Sequence, residues 1–200
     1  INGVEAALWA LKGKQHGLPV YQLLGGRKHD RLPCYASGGP SNYPQSELAR
    51  KLDFYLGLGF HGVKLGAGSY TKGQGGYTPR TAVEAAEFEG DKVAFARKHV
   101  GPGVRLMLDG HMGNSPRFTW DLGIAQAVMK AVEPGGLFFF EEPLHYTDPW
   151  GYSELCRGTS VPHAGGEVLT AMYEWRVVAE RDCFDIGQPD AAYTGGPGEC

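Results

Sequence analysis

The sequence lacks any apolar run near the roughly 18–20 residues a membrane span needs. Its longest candidates, such as residues 136–140, are strand-sized, so no membrane partner is expected. Cysteine is scarce, with four in 200 residues, far apart and with no CxxC spacing. That excludes a disulfide framework and a thiolate zinc motif. It points to a reducing, cytoplasmic compartment in which the thiols serve as small core residues. Positive charge is not in excess: 19 Lys and Arg against 22 Asp and Glu give a formal net charge of −3, which argues against a nucleic-acid partner. The longest basic cluster, residues 26–31, is interrupted by Asp30 and reads as a solvated turn. The chain also lacks an initiator Met and a basic stretch ahead of an apolar one. It reads as the interior of a longer chain and not as a signal peptide.

Hydrophobic residues make up 42% and charged residues 20%, which supplies a core and excludes general disorder. The 31 glycines are spread between apolar runs, as many tight turns require. Helices are expected over residues 4–14, 19–24, 46–57, 79–99, 119–132, 150–157 and 172–181. Strands are expected over 32–37, 62–66, 104–108, 137–140, 161–164 and 184–187. In 46–57 the apolar residues Leu48, Leu52, Tyr55 and Leu56 fall on one helical face. Six strand–helix alternations at these separations are what βαβ crossovers produce, so the class is α/β with a parallel sheet.

Both an open doubly wound sheet and a barrel would produce this string, and the polar residues decide between them. Asp109, Glu141, Glu167 and Asp190 each follow an apolar strand core. An open sheet gathers its functional residues at one switch point, whereas a (β/α)8 barrel draws them from successive strands onto one mouth. The expectation is therefore a TIM-type barrel, incomplete here at about six βα units of the eight it needs. Any one of these acids could instead cap a helix or pair with an Arg. Asp109, Glu141 and Glu167, at equivalent places about one βα unit apart, would repel one another without a cation. Oxygen donors with no Cys or His in matching positions suit Mg²⁺, with Mn²⁺ next.

Several ordered motifs then resemble a known family. They are Ala6-Ala7-Leu8-Trp9-Ala10-Leu11-Lys12-Gly13-Lys14 with Gly17-Leu18-Pro19-Val20-Tyr21-Gln22-Leu23-Leu24-Gly25-Gly26, Gly59-Phe60-His61-Gly62-Val63-Lys64, Leu108-Asp109-Gly110-His111, Phe140-Glu141-Glu142-Pro143, Gly166-Glu167, and Asp185-Ile186-Gly187-Gln188-Pro189-Asp190. Together they resemble the enolase superfamily, mandelate racemase group, over nearly the whole chain. The resemblance implies that residues 1–200 are part of the C-terminal barrel domain, without the N-terminal capping domain and the last barrel strands. It implies Mg²⁺ held by Asp109, Glu141 and Glu167, with Glu142 behind them, and abstraction of the proton α to a carboxylate, through an enolate that the metal stabilises as a Lewis acid.

The resemblance also implies roles for the groups around the metal. Where the group carries a Lys-x-Lys pair, this chain has Lys64-Leu65-Gly66. A lone lysine lacks the like-charge repulsion that lowers an amine's pKa, so Lys64 is expected to steady the substrate carboxylate and not to act as the base. His111, two residues after Asp109, corresponds to the general acid of galactonate-type acid-sugar dehydratases. Asp190 corresponds to the carboxylate that orients a seventh-strand histidine base, which this sequence does not include. His145 follows Glu-Glu-Pro and could line the mouth as a substrate-binding residue. His163 reads as core or bottom-facing. The glycine-rich loop over 66–76 has no Gly-Lys-Ser/Thr ending and is expected to be a loop at the mouth, not a phosphate cradle.

These residues imply a Mg²⁺-dependent acid-sugar dehydratase acting on a small carboxylate, as a homo-oligomer. The alternatives are a racemase or epimerase, against which Gly66 counts, and a non-catalytic fragment. The 200 residues alone are expected to be inactive and prone to associate.

Overall fold

The computed structural model describes residues 2–38, 44–68, 81–114 and 119–200. Most of the glycine-rich loop and the expected start of the helix at 79 lie outside the described residues. The elements in chain order are α1 (Asn2–His16), α2 (Val20–Leu23), β1 (Ala36–Ser37), α3 (Gln45–Gly57), β2 (Gly62–Gly66), α4 (Ala82–Val100), β3 (Arg105–Asp109), α5 (Leu122–Val132), β4 (Phe139–Glu141), α6 (Pro149–Gly158), β5 (His163–Gly165), α7 (Met172–Glu180) and β6 (Ile186–Gly187). Among the described residues no helix is long and apolar enough to cross a membrane.

The six strands form one parallel sheet in the order β1-β2-β3-β4-β5-β6. Sequential order with no reversal excludes a doubly wound sheet and is that of a barrel wall. The sheet is not closed and leaves β1 and β6 at its edges. Register aligns the strand ends, with Gly66 opposite Asp109 and Asp109 opposite Glu141.

The period of two then sorts the strand residues onto two faces. Val63, Leu65, Leu106, Leu108 and Phe140 join the large core packed against the helices. Met107, Phe139 and Ala164 form a second buried cluster on the other face, with Ile186 against it. Lys64, Asp109 and Glu141 lie on that second face, two residues from or level with its apolar members. This is the inner surface of the incomplete barrel, with its acids at the C-terminal end.

The edge strands are shorter than the expected spans of 32–37 and 184–187. Pro33 has no N–H to offer a ladder, and Pro162 likewise delays β5 to His163. The start of α4 is set by Thr81, whose hydroxyl accepts the Glu84 N–H while Glu84 returns a bond to the Thr81 N–H. Val83 is exposed, and the buried side of α4 carries Glu89 and Lys92, paired at 2.8 Å. These two reach the segment after β2, with Lys92 Nζ donating to the Gly66 carbonyl and Glu89 accepting the Gly68 N–H. A charged pair three residues apart reads in sequence as a solvated face, which is why this tie was not expected. The cysteines also divide otherwise than expected. Cys183 is buried and Cys156 half-buried, but Cys34, in the irregular segment before β1, and Cys200 are exposed.

Candidate functional site

Three adjacent strands bring Lys64, Asp109 and Glu141 into contact. Lys64 Nζ donates to Asp109 Oδ2 at 2.7 Å and to Glu141 Oε2 at 2.5 Å, and all three side chains are almost fully buried. His111 completes the group, with Nε2 3.0 Å from Asp109 Oδ2 and its backbone N–H donating to Asp109 Oδ1 at 3.2 Å. His111 sits at φ 49° and Glu142 at φ 43°. Left-handed backbone at two non-glycine residues, each just past a strand end, is strain held by the surrounding fold at the acid cluster.

The charges explain one another. Burial alone would lower the Lys64 pKa, but Asp109 and Glu141 hold it well above the ordinary lysine range. Burial would raise Asp109, yet the hydrogen bond and charge of His111, with Lys64, hold it below the usual carboxylate range. The hydrogen bond to Asp109 raises His111 against its desolvation. Glu141 is pushed up by burial and by Asp109, with relief from Lys64 and from a hydrogen bond to Gln188. Glu142 is pushed up to about 8 by burial, then by Glu167 and Asp109. Its Oε2 is buried and has no hydrogen-bond partner among the described residues.

Glu167 is brought to the same end of the sheet, where its charge acts on His111 and Glu142, but not into the contact set around Lys64. Asp190 is exposed after β6, and its side chain accepts the Ala192 N–H at 2.7 Å. His145 lies in the loop after β4, where its Nδ1 is 2.7 Å from Thr147 Oγ1 and its ring packs on Tyr146. Gln188 was missed as a site residue. Its place two residues after the inward Ile186 was the available signal. Glu142, at positive φ, lies close enough for the charges of Glu167, Asp109, His111 and Glu141 to act on it.

The donor set fits a hard divalent cation. Two buried carboxylates already converge on one cationic nitrogen, and Glu142 and Glu167 lie close enough to the same end for their charges to act on His111 and on each other. All are oxygen donors.

Comparison with known proteins finds one family over most of the chain. Residues 47–200 match the family described as enolase C-terminal domain-like. Residues 1–25, with α1 and α2, match the mandelate racemase / muconate lactonizing enzyme N-terminal domain. A D-galactonate dehydratase of Ralstonia nicotianae is 34% identical over 200 residues, covering 100% of this chain and 49% of the relative. The crystal structure of an L-talarate dehydratase from Polaromonas sp. JS666, complexed with Mg and L-glucarate, superposes with TM-score 0.77 at 31% identity, over 97% of this chain and 49% of that one. A racemase from Streptomyces coelicolor A3(2) with bound magnesium gives TM-score 0.82 at 28% identity, over 99% of this chain and 53% of that one. The chain spans about half the length of the curated relatives it matches.

Proposed function

Because the chain belongs to the enolase C-terminal domain-like family, we propose that it supplies most of the active site of a Mg²⁺-dependent dehydratase acting on an acid sugar. The observation that carries this reading is the convergence of Lys64, Asp109, Glu141 and His111 at one end of the sheet's inner face. Similarity to dehydratases for galactonate and talarate supports the substrate class. Asp109, Glu141 and Glu167 would hold the cation. When bound there, it would supply Lewis-acid stabilisation of the charge that develops on the substrate carboxylate oxygens.

The chain's own residues have distinct tasks. Lys64 is a fixed, buried positive charge between the acids. It opposes the build-up of negative charge at the substrate carboxylate as the α-proton leaves. His111, oriented by two contacts to Asp109, would give a proton to the departing hydroxyl group. Asp190, past β6, would orient the base that takes the α-proton, and His145 would contact substrate from the loop after β4. A homo-oligomer is part of the same reading.

The test is solvent exchange in D₂O, in a protein carrying this chain with the rest of its barrel and Mg²⁺. Acid sugars of the aldonate class should lose water. His111→Asn should abolish dehydration while α-proton exchange continues. Absence of both reactions from the unsubstituted protein across an aldonate panel would sink the dehydratase reading. Loss of both in His111→Asn alone, with metal binding intact, would remove His111 from its acid role.

A further inference from the structure

On the other face of the sheet a different donor set comes together. His163 begins β5 opposite Phe140, whose side chain lies in the helix-facing core. That position calls for an aliphatic residue, yet it holds an imidazole with 1% of its side chain exposed. Among the described residues neither ring nitrogen has a hydrogen-bond partner, and Asp185 Oδ2 stands 3.9 Å from Nδ1. Cys156 approaches from the last turn of α6, and Asp185 from the residue before β6. One atom from each of Cys156, His163 and Asp185 lies within 4.8 Å of the others.

We propose that Cys156, His163 and Asp185 form a second metal site, for one borderline divalent cation of the zinc class, on the helix-facing side of the sheet. The donors are one sulfur, one nitrogen and one oxygen, a mixture that zinc accepts and Mg²⁺ does not. With zinc bonds of roughly 2.0–2.3 Å, donors around one ion stand up to about 4 Å apart, so the cluster needs only a small closure. Two backbone bonds prepare it. The His163 N–H donates to Asp185 Oδ2 at 2.7 Å, and the Asp185 N–H donates to the His163 carbonyl at 2.9 Å. The carboxylate is thereby oriented, as metal-binding carboxylates are, with Oδ1 left over.

The ionisation states agree with this geometry. Burial pushes His163 down to about 4, against the opposing pulls of Asp185 and the Val161 backbone, so the imidazole stays in its neutral, ligating form. Cys156 is pushed up to about 12 by burial, then by Asp185 and Cys183, and its thiol donates to the Cys183 carbonyl at 3.0 Å. A cation is the charge that would release that proton. The Asp185 side chain is 57% exposed, so water would reach the cluster from its side to complete the coordination. The ion would pin the end of α6 to the starts of β5 and β6.

The experiment uses a purified protein carrying this chain with the rest of its barrel, stripped with chelator and returned to excess Mg²⁺ to satisfy the acid cluster. It is then titrated with Co²⁺ as an optical probe and back-titrated with Zn²⁺. The expected result is one equivalent of Co²⁺ with a thiolate-to-cobalt charge-transfer band, displaced by Zn²⁺. Cys156→Ser should remove the band, and His163→Gln and Asp185→Asn should weaken binding by about tenfold or more. Asp185→Asn, at an exposed position that keeps an oxygen for the His163 N–H, covers the case in which the buried variants misfold. No band in excess Mg²⁺, or a band unchanged in Asp185→Asn and Cys156→Ser and therefore due to exposed Cys34 or Cys200, would overturn the site.

Discussion

The ammonium group of Lys64 stands 2.5 Å from the carboxylate of Glu141, two strands away in the sheet. It bridges over Asp109 on the strand between them, which it also contacts. A lysine and a divalent cation therefore answer the same electrostatic need, the neutralisation of two buried carboxylates. Removing one partner of a buried pair leaves the other charge uncompensated, at a cost of about 3–5 kcal/mol. Lys64→Met should thus be destabilised by about that amount in chelator. Saturating Mg²⁺ should recover a large part of the loss, and should recover less in the unsubstituted chain. Urea unfolding of both proteins, with and without Mg²⁺, measures the difference. Equal Mg²⁺ effects on the two would show that the metal does not reach these acids.

Gly110 separates Asp109 from His111, and the fold leaves it no room. A Cβ there would stand 2.6 Å from the Glu142 carbonyl oxygen, a backbone atom that cannot swing aside. Gly110→Ala should lower stability by roughly 1–3 kcal/mol, as overpacking does, and should weaken Mg²⁺ binding by moving the strand ends apart. Gly103→Ala is the matched control, since a Cβ there meets nothing within 4 Å. It should stay within about 0.5 kcal/mol of the parent. Thermal unfolding and calorimetric Mg²⁺ titration of the pair test whether the site depends on this contact.

Much of this was open to sequence reasoning, for identifiable reasons. Asp109 and Glu141 follow apolar strand cores, and a period of two with aligned register places them side by side without help from loops. Glu167 and Asp190 sit beyond the paired residues, where loop conformation decides direction, and they are the acids that stand apart from the central contacts. Glu142 was named only through the Glu-Glu-Pro resemblance, because its positive φ is invisible in an alternation. The buried His163 matches its reading as core, but the Glu89–Lys92 tie was hidden because charged side chains on an apolar interface contradict patterning. Such contradictions gather where a fold holds a site or a joint.

The capping box of α4 offers a prediction on the joint itself. Thr81 accepts the Glu84 N–H at 3.2 Å and stands just ahead of the helix whose Glu89 and Lys92 fix the end of β2. Thr81→Ala removes that acceptor and should cost about 1 kcal/mol of stability. Because the helix is anchored two turns farther on, Mg²⁺ affinity should stay within about threefold. Thr81→Ser should restore stability. A Thr81→Ala protein as stable as the parent would show that the box contributes nothing to holding α4.

The open sheet carries the last prediction. Among the described residues β1 and β6 each pair on one side only, and a free strand edge is a template for another chain. Leu32 and Tyr35, on the approach to β1, are 71% and 39% exposed, which adds apolar surface beside the free edge. Net charge of −3 is too small to keep such edges apart. The chain by itself should therefore associate as its concentration rises. Sedimentation velocity should show this as a shift from monomer to larger species, little changed by added salt, because the contact is backbone pairing and apolar burial rather than charge. Leu32→Lys, which places a charge beside β1, should reduce the association without changing the unfolding midpoint by more than about 0.5 kcal/mol equivalent, since Leu32 buries little. A chain that stays monomeric across about 1–100 µM, a range in which exposed edges are aggregation-prone, would mean that the free edges of β1 and β6 are protected in solution, and the case for an open wall would fail with it.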